Sequence, residues 1–426
     1  MASPARPYRV LRHRDYRSFW LANLISLIGS QMQVTALHWH VYLLTRSPLF
    51  LGLVGLTRAV PVLVFSLWGG VLADRTDRRR LMLATQVAMT GVAGSLALFT
   101  HAKRETVLLL FVLNALGAAA SAFDGPARQA LVPRLVPRDE LQAALVLNLT
   151  VFHVAMIGGP ALAGLMLAGG HGIAGEASST GPLAWIYALN ALSFLAVLGA
   201  LWRMDRAVGR PQAENGGEES ALRSLAQGLR FVFGTPIMVW TMALDFFATF
   251  FSGAMSLLPI FADQVLHAGP RGYGILVAAP AVGALAGSLW TTWRPLSPHQ
   301  GRLFLWAVAA YGAATITFGL SRSFLLTFLA LAGTGLADLV STVVRQTLRQ
   351  LVTPDSLRGR MTSVNMIFFM GGPQLGEVEA GFVASLFASA AVGATVSVVS
   401  GGVATILVAS VVAFATPIVR RYALNA

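Results

Sequence analysis

Polar and charged positions in this chain are confined to short breaks. A run of about 20 apolar residues crosses a ~30 Å hydrocarbon layer as a helix, and such runs recur about every 35 positions here. The pattern predicts twelve membrane-spanning helices: 17–45, 49–73, 79–101, 105–127, 139–169, 182–203, 236–266, 271–293, 302–321, 324–351, 358–388 and 394–419. An even number returns both termini to one side. Between the sixth and seventh, residues 204–235 turn polar and then amphipathic from Leu222 to Phe233, which predicts a linker between a half at 1–203 and a half at 236–426.

Composition narrows the class. Apolar residues make up 55% and charged residues 12%, against about 25% charge in soluble globular chains. With 42 glycines, residues tolerated where every backbone hydrogen bond is kept within a span, the makeup is that of an all-α polytopic membrane protein. The absence of cysteine excludes a disulfide framework, a thiol nucleophile, thiolate zinc and a cysteine-ligated iron–sulfur cluster.

The net charge of +13 would suit nucleic acid if it were gathered on a soluble face, but the basic residues sit between apolar runs. Sorted by alternating loops, 25 of the 31 Lys and Arg fall on the side of Arg6, Arg78, Arg134 and Arg420. Five fall opposite (Arg46, Lys103, Arg104, Arg271, Arg322), and Arg58 lies inside a span. The positive-inside rule then predicts cytoplasmic termini and a cytoplasmic linker, with no nucleic-acid partner. No small-residue cleavage site precedes the first run, so no signal-peptide removal is expected.

An internal repeat underlies the halves. A shift of 217 positions lays Arg128-Gln129 over Arg345-Gln346, Pro137 over Pro354, Asn148 over Asn365 and Gly70-Val-Leu72 over Gly287-Ser-Leu289. Two parallel six-helix repeats are a transporter plan.

Between spans two and three the chain reads Gly70-Val-Leu-Ala-Asp74-Arg75-Thr-Asp77-Arg78-Arg79-Arg80. This resembles the signature loop of the major facilitator superfamily, and with the repeat the resemblance covers nearly the whole chain. It implies that fold, and it implies a latch between the halves formed by Asp74, Arg75 and Arg78. The second-half counterpart keeps Gly287 and Leu289 but has Thr291 and Pro295 where charges would stand.

Span five carries Gly158-Gly159-Pro160 and Gly164, echoed in span eleven by Gly371-Gly372-Pro373. Proline removes a backbone donor and small neighbours let helices approach closely, so both stretches are read as helix-packing motifs. The first resembles the superfamily's antiporter motif, although Ala155 replaces its leading glycine and the stretch ends Gly164-Leu165, and the resemblance implies export. The stretches from Leu49 and Pro373 resemble the branch of siderophore (enterobactin-type) exporters and drug-efflux proteins.

Ionisable groups within spans cost about 2.5–3.5 kcal/mol each unless paired or wetted, so they are candidate working parts. Asp245, about nine residues into span seven, is the proton-carrier candidate; the alternative is a hydrogen-bonded structural acid. Glu377 and Glu379 point about 200° apart on a helix, so only one of them faces a common cavity. Arg58 either pairs with one of these acids as a gate or snorkels outward. Asp124 is expected to serve as local partner for Arg75 or Arg78, and Asp338 shares a helix face with Arg345. His38 and His40 flank Trp39 and are candidates for proton coupling or the cavity lining, with packing as the alternative.

No metal site is expected, since the histidines lack a third ligand, and no cofactor is expected either. A phosphate-cradling loop and a nucleophile elbow are both missing, so the chain is not read as an enzyme. The reading is a monomeric, multi-pass inner-membrane transporter exporting a small amphipathic molecule in exchange for protons. Proton-coupled or facilitated import is the alternative, and a non-transporting receptor on the same fold is a more distant one.

Overall fold

The computed structural model describes residues 7–169, 180–205, 209, 221–293, 298–354 and 357–423, and every regular element among them is helical. The chain runs through α1 (Arg14–Thr45), α2 (Pro48–Arg75), α3 (Arg78–His101), α4 (Val107–Leu131), α5 (Leu141–Gly169) and α6 (Gly181–Arg203). After α7 (Ala221–Gly234) come α8 (Pro236–Phe251), a single turn α9 (Leu258–Ile260), α10 (Gly269–Trp293), α11 (Gln300–Leu320) and α12 (Phe324–Val352). α13 (Arg358–Ser385), α14 (Ala390–Ala415) and a final turn, α15 (Pro417–Arg420), complete it. Much of the predicted linker, 206–208 and 210–220, lies outside the described residues.

Ten segments among the described residues are long and apolar enough to cross a membrane, against the twelve expected. The two that fall short are α1 and α13, which have the length, at 32 and 28 residues, but not the hydropathy. Gln31, Gln33, His38 and His40 dilute the first, and Gln374, Glu377 and Glu379 the second. The helices with the poorest lipid character are therefore the ones rich in polar candidates.

The chain groups into two compact units, Met1–Leu44 with Val60–Gly216, and Thr45–Ala59 with Gly217–Ala426. The first turns of α2 thus group with the later part of the chain. In the first unit a core of Tyr16, Phe19, Met82, Leu131, Leu147 and Leu201 fills one end. Asp77 accepts from the backbone N–H groups of Arg79 and Arg80, capping α3 as short polar side chains do at helix starts. Arg79 is buried and donates to the carbonyls of Leu201 (2.6 Å) and Trp202 (3.1 Å), satisfying acceptors that the end of α6 leaves open. Arg12 and His13 clamp Glu140 at 2.6 and 2.9 Å, fixing the segment before α1 to the start of α5.

In the second unit the predicted span 236–266 is not one straight helix. α8 stops at Phe251, and the chain passes through a 3-10 turn (Ala254–Leu257), α9 and a π-helical turn (Phe261–Val265). The interruption falls where α13 comes closest: a Cβ on Gly253 would collide with Gly376 and Glu377 backbone atoms, and one on Gly376 with the Phe250 carbonyl. α7 lays Leu229, Phe231 and Val232 against Met238, Met242, Leu348 and Met361, which explains the amphipathic stretch.

Candidate functional site

Asp245 lies on α8, 7% exposed, and its carboxylate is ion-paired with Arg345 of α12. Arg345 is itself 5% exposed and is held from below by Ser341 and Thr342, donating to the Ser341 hydroxyl at 3.2 Å and the Thr342 hydroxyl at 2.8 Å. The same guanidinium reaches Asp338 at 3.6 Å. One cation is thus shared between a buried acid and a half-exposed one, Asp338 having a side chain 47% exposed. Beside them is a cavity of about 10 Å³, room for a single water, lined by Asp245, Thr249, Tyr311, Asp338 and Ser341. The sequence offered Asp245 no partner and placed Asp338 on one helix face with Arg345. Its missed feature is that α8 turns Asp245 onto Arg345 and Tyr311 rather than into an open space.

The acids of α13 separate as their spacing requires. Glu377 faces the start of α2, where a Cβ on Gly55 would touch its Oε2 and one on Gly52 its backbone carbonyl. Arg58, one turn further along α2 and exposed, lies within electrostatic range of Glu377. Glu379 has a buried Oε2 with no hydrogen-bond partner among the described residues. Of the two pairings left open for Arg58, the geometry brings Glu377 toward it. A further ion pair joins Arg46, before α2, to Asp263 in the π-helical turn at 2.7 Å.

In the first unit His40 is fully buried, with Nδ1 3.2 Å from the Tyr187 hydroxyl and Nε2 3.9 Å from Glu105. Glu105 was not among the sequence candidates; its only signal was an acid at the predicted start of span four, directly after Lys103 and Arg104. His38 is half-buried with Nδ1 3.0 Å from the Val34 carbonyl of its own helix, so the two histidines have different surroundings.

Asp124 is held by partners that the sequence did not point to. Its carboxylate accepts from Arg128 on its own helix (3.0 and 2.7 Å), from Thr85 (2.9 Å) and from Gln86 (2.9 Å). An i, i+4 arginine on the same helix reaches it. The side chains of Asp74 and Arg75 lie outside the described residues, while Arg78 opens α3.

The packing motifs resolve residue by residue. Gly159 allows α5 to touch α1, since a Cβ there would collide with Gln31, and Gly372 allows α13 to touch Thr249 and Phe246 of α8. Gly158 has open space where a side chain would go, Gly371 makes only an ordinary 3.8 Å contact, and Pro373 is exposed. Pro160 and Gly164 are buried within α5. One glycine of each pair does the packing.

Among the described residues no group of three metal-binding side chains converges. Residues 5–423 match the family model described as transmembrane secretion effector. The chain belongs to that family. Among curated relatives of this secretion-effector chain are the enterobactin exporters EntS of Shigella boydii serotype 4 and Escherichia coli O1:K1. Each is 27% identical over 353 residues, 83% of this chain and 81% of the relative. Solved structures share its fold. A bacterial homologue of the human lysosomal transporter Spinster has a TM-score of 0.73 at 16% identity, covering 96% of each chain. A bacterial homologue of the iron transporter ferroportin gives 0.67 at 17%, covering 93% of this chain and 99% of that one. A POT family transporter crystallised with 5-aminolevulinic acid gives 0.75 at 12%, covering 95% and 96%. The secretion effector is accordingly a multi-pass membrane transporter of the major facilitator type, with relatives that are transporters rather than enzymes.

Proposed function

We propose that this protein exports a small amphipathic molecule, of siderophore or drug-like class, across a bacterial inner membrane in exchange for protons. It works by alternating access, as a monomer with both termini and the linker cytoplasmic. Export is supported by the family and by relatives named as enterobactin exporters. The orientation is supported by the loop asymmetry of Lys and Arg.

The observation that carries proton coupling is the single guanidinium shared by Asp245 and Asp338. A proton reaching Asp245 through the half-exposed Asp338 and the adjoining cavity neutralises the buried acid. Arg345 is then held by Asp338 alone, and loss of the proton restores the buried pair. This gives the helix pair α8–α12 two arrangements that differ by one proton, the kind of bistable element on which coupling depends. Arg58 with Glu377, on the contact between α2 and α13, serves as a gate that forms and breaks as the halves 1–203 and 236–426 rock. Asp74, Arg75 and Arg78 form the latch implied by the signature loop. His40, with Glu105, is a second proton-handling position.

The test is transport in proteoliposomes under an imposed pH gradient, with cargo first found by thermal-shift screening of siderophores and drug-like compounds. Asp245→Asn is expected to abolish gradient-driven accumulation while leaving ligand-induced stabilisation in place. Undiminished proton-driven transport by well-folded Asp245→Asn protein removes the acid from coupling. Accumulation with the gradient, in the direction of uptake, removes export.

A further inference from the structure

At one end of the first unit three arginines converge without a partner among the described residues. Arg14 and Arg17 stand on the first turn of α1 and Arg203 closes α6, and all three are exposed. Together with Asp15, Ser18 and Gly199 they line a concavity of about 410 Å³. Among the described residues none of the three guanidinium groups makes a hydrogen bond or an ion pair, whereas Arg12 and Arg79 nearby each have partners. Asp15 does not neutralise the group: its Oδ2 accepts from the Asp205 backbone N–H at 3.3 Å. Among the described residues, three positive charges against one negative leave a net excess of two in a pocket that none of those residues fills.

The pocket lies between two membrane helices at their ends, and its floor on α6 is open. A Cβ on Gly199 would meet nothing within 4 Å, so an apolar chain has space along α6 below the arginines. Trp202, 76% exposed, sits on the same turn of α6, at the depth where indoles anchor to a headgroup layer. A free anion would use the charge alone, but a basic mouth over an open small-residue groove fits a headgroup with an attached tail.

We infer that this pocket binds the phosphate of an anionic membrane lipid, with Arg14, Arg17 and Arg203 on the headgroup, Ser18 as a hydroxyl donor and one acyl chain along Gly199. Basic pockets between spans are a recurrent form of lipid headgroup recognition. The site is separate from the Asp245–Arg345 pair and does not depend on the transport reading above.

The experiment is native mass spectrometry of the full chain released from a neutral detergent and titrated with dioleoyl phosphatidylglycerol or dioleoyl phosphatidylcholine, with glycerol 3-phosphate as competitor. The unaltered chain is expected to prefer phosphatidylglycerol by about tenfold or more, and the triple variant Arg14→Gln, Arg17→Gln, Arg203→Gln to lose that preference. Gly199→Leu, which keeps every charge but fills the groove, is expected to weaken phosphatidylglycerol as well, so a poorly folded triple variant does not decide the matter. Equal lipid preference in the unaltered chain and either well-folded variant overturns the inference. Displacement of the lipid by millimolar glycerol 3-phosphate also overturns it, since that makes the pocket a site for soluble anions.

Discussion

Arg345 of α12 pairs with Asp245 of α8, and the two charges sit together in the interior of the second unit, each less than a tenth exposed. A buried pair of this kind gives little net stability, but removing one partner leaves an uncompensated charge in a low dielectric. Arg345→Gln is therefore expected to cost about 3–5 kcal/mol, and Asp245→Asn added to the same chain should recover most of that loss. Thermal unfolding of Arg345→Gln, Asp245→Asn and the double variant in one detergent checks it. Strict additivity of the two single effects would show that the groups are not coupled.

Close helix contact makes some glycines irreplaceable and leaves others free. A Cβ on Gly335 of α12 would run into the Pro280 carbonyl of α10, and one on Gly283 of α10 into the Ala332 carbonyl. Gly335→Ala is expected to destabilise by about 1–3 kcal/mol through forced separation of backbones. Gly91→Ala on α3, where nothing lies within 4 Å, should instead gain up to about 1 kcal/mol from helix propensity. Melting temperatures of the two variants moving in the same direction would count against this account.

Arg79 ties the start of α3 to the end of α6 through two backbone carbonyls. Arg79→Ala is expected to cost about 1.5–3 kcal/mol, the range for hydrogen bonds to a charged group. Arg79→Lys should recover only part, because an ammonium lacks the planar fork that spans adjacent carbonyls. Hydrogen exchange near Leu201 and Trp202 should rise in both variants, and unchanged protection would show that the contact is incidental.

The proposed gate is open to a double-mutant cycle. Arg58→Gln and Glu377→Gln, measured singly and together for transport rate in proteoliposomes, should show a coupling of about 0.5–3 kcal/mol. Arg58→Gln combined with Glu379→Gln should show none, because Glu379 leaves α13 in a different direction. Equal coupling to both acids would sink the assignment of Glu377.

Much of this protein was legible as a linear pattern. Membrane spans are set by the requirement that backbone polar groups be satisfied within each helix, and that requirement leaves long apolar runs in any sequence that meets it. Even the shortfall of α1 and α13 is informative, since their polar residues include His38, His40, Glu377 and Glu379, which the sequence marked as candidates. The identity of an acid as exceptional, as with Asp245, could likewise be read from its apolar neighbours alone.

Partner choice could not. Asp124 found Arg128 on its own helix, Asp245 found Arg345 on another helix, and His40 found Tyr187 on α6 and Glu105 in the connection before α4. Nor does the motif Gly-Gly-Pro reveal which of its glycines meets a neighbour; Gly159 and Gly372 do, and their twins do not. Periodicity fixes which face of a helix a side chain occupies, but the rotation of that face toward one neighbour or another is set by packing among all the helices at once. That is why the spans are written in the order of residues and the ion pairs only in the arrangement of helices.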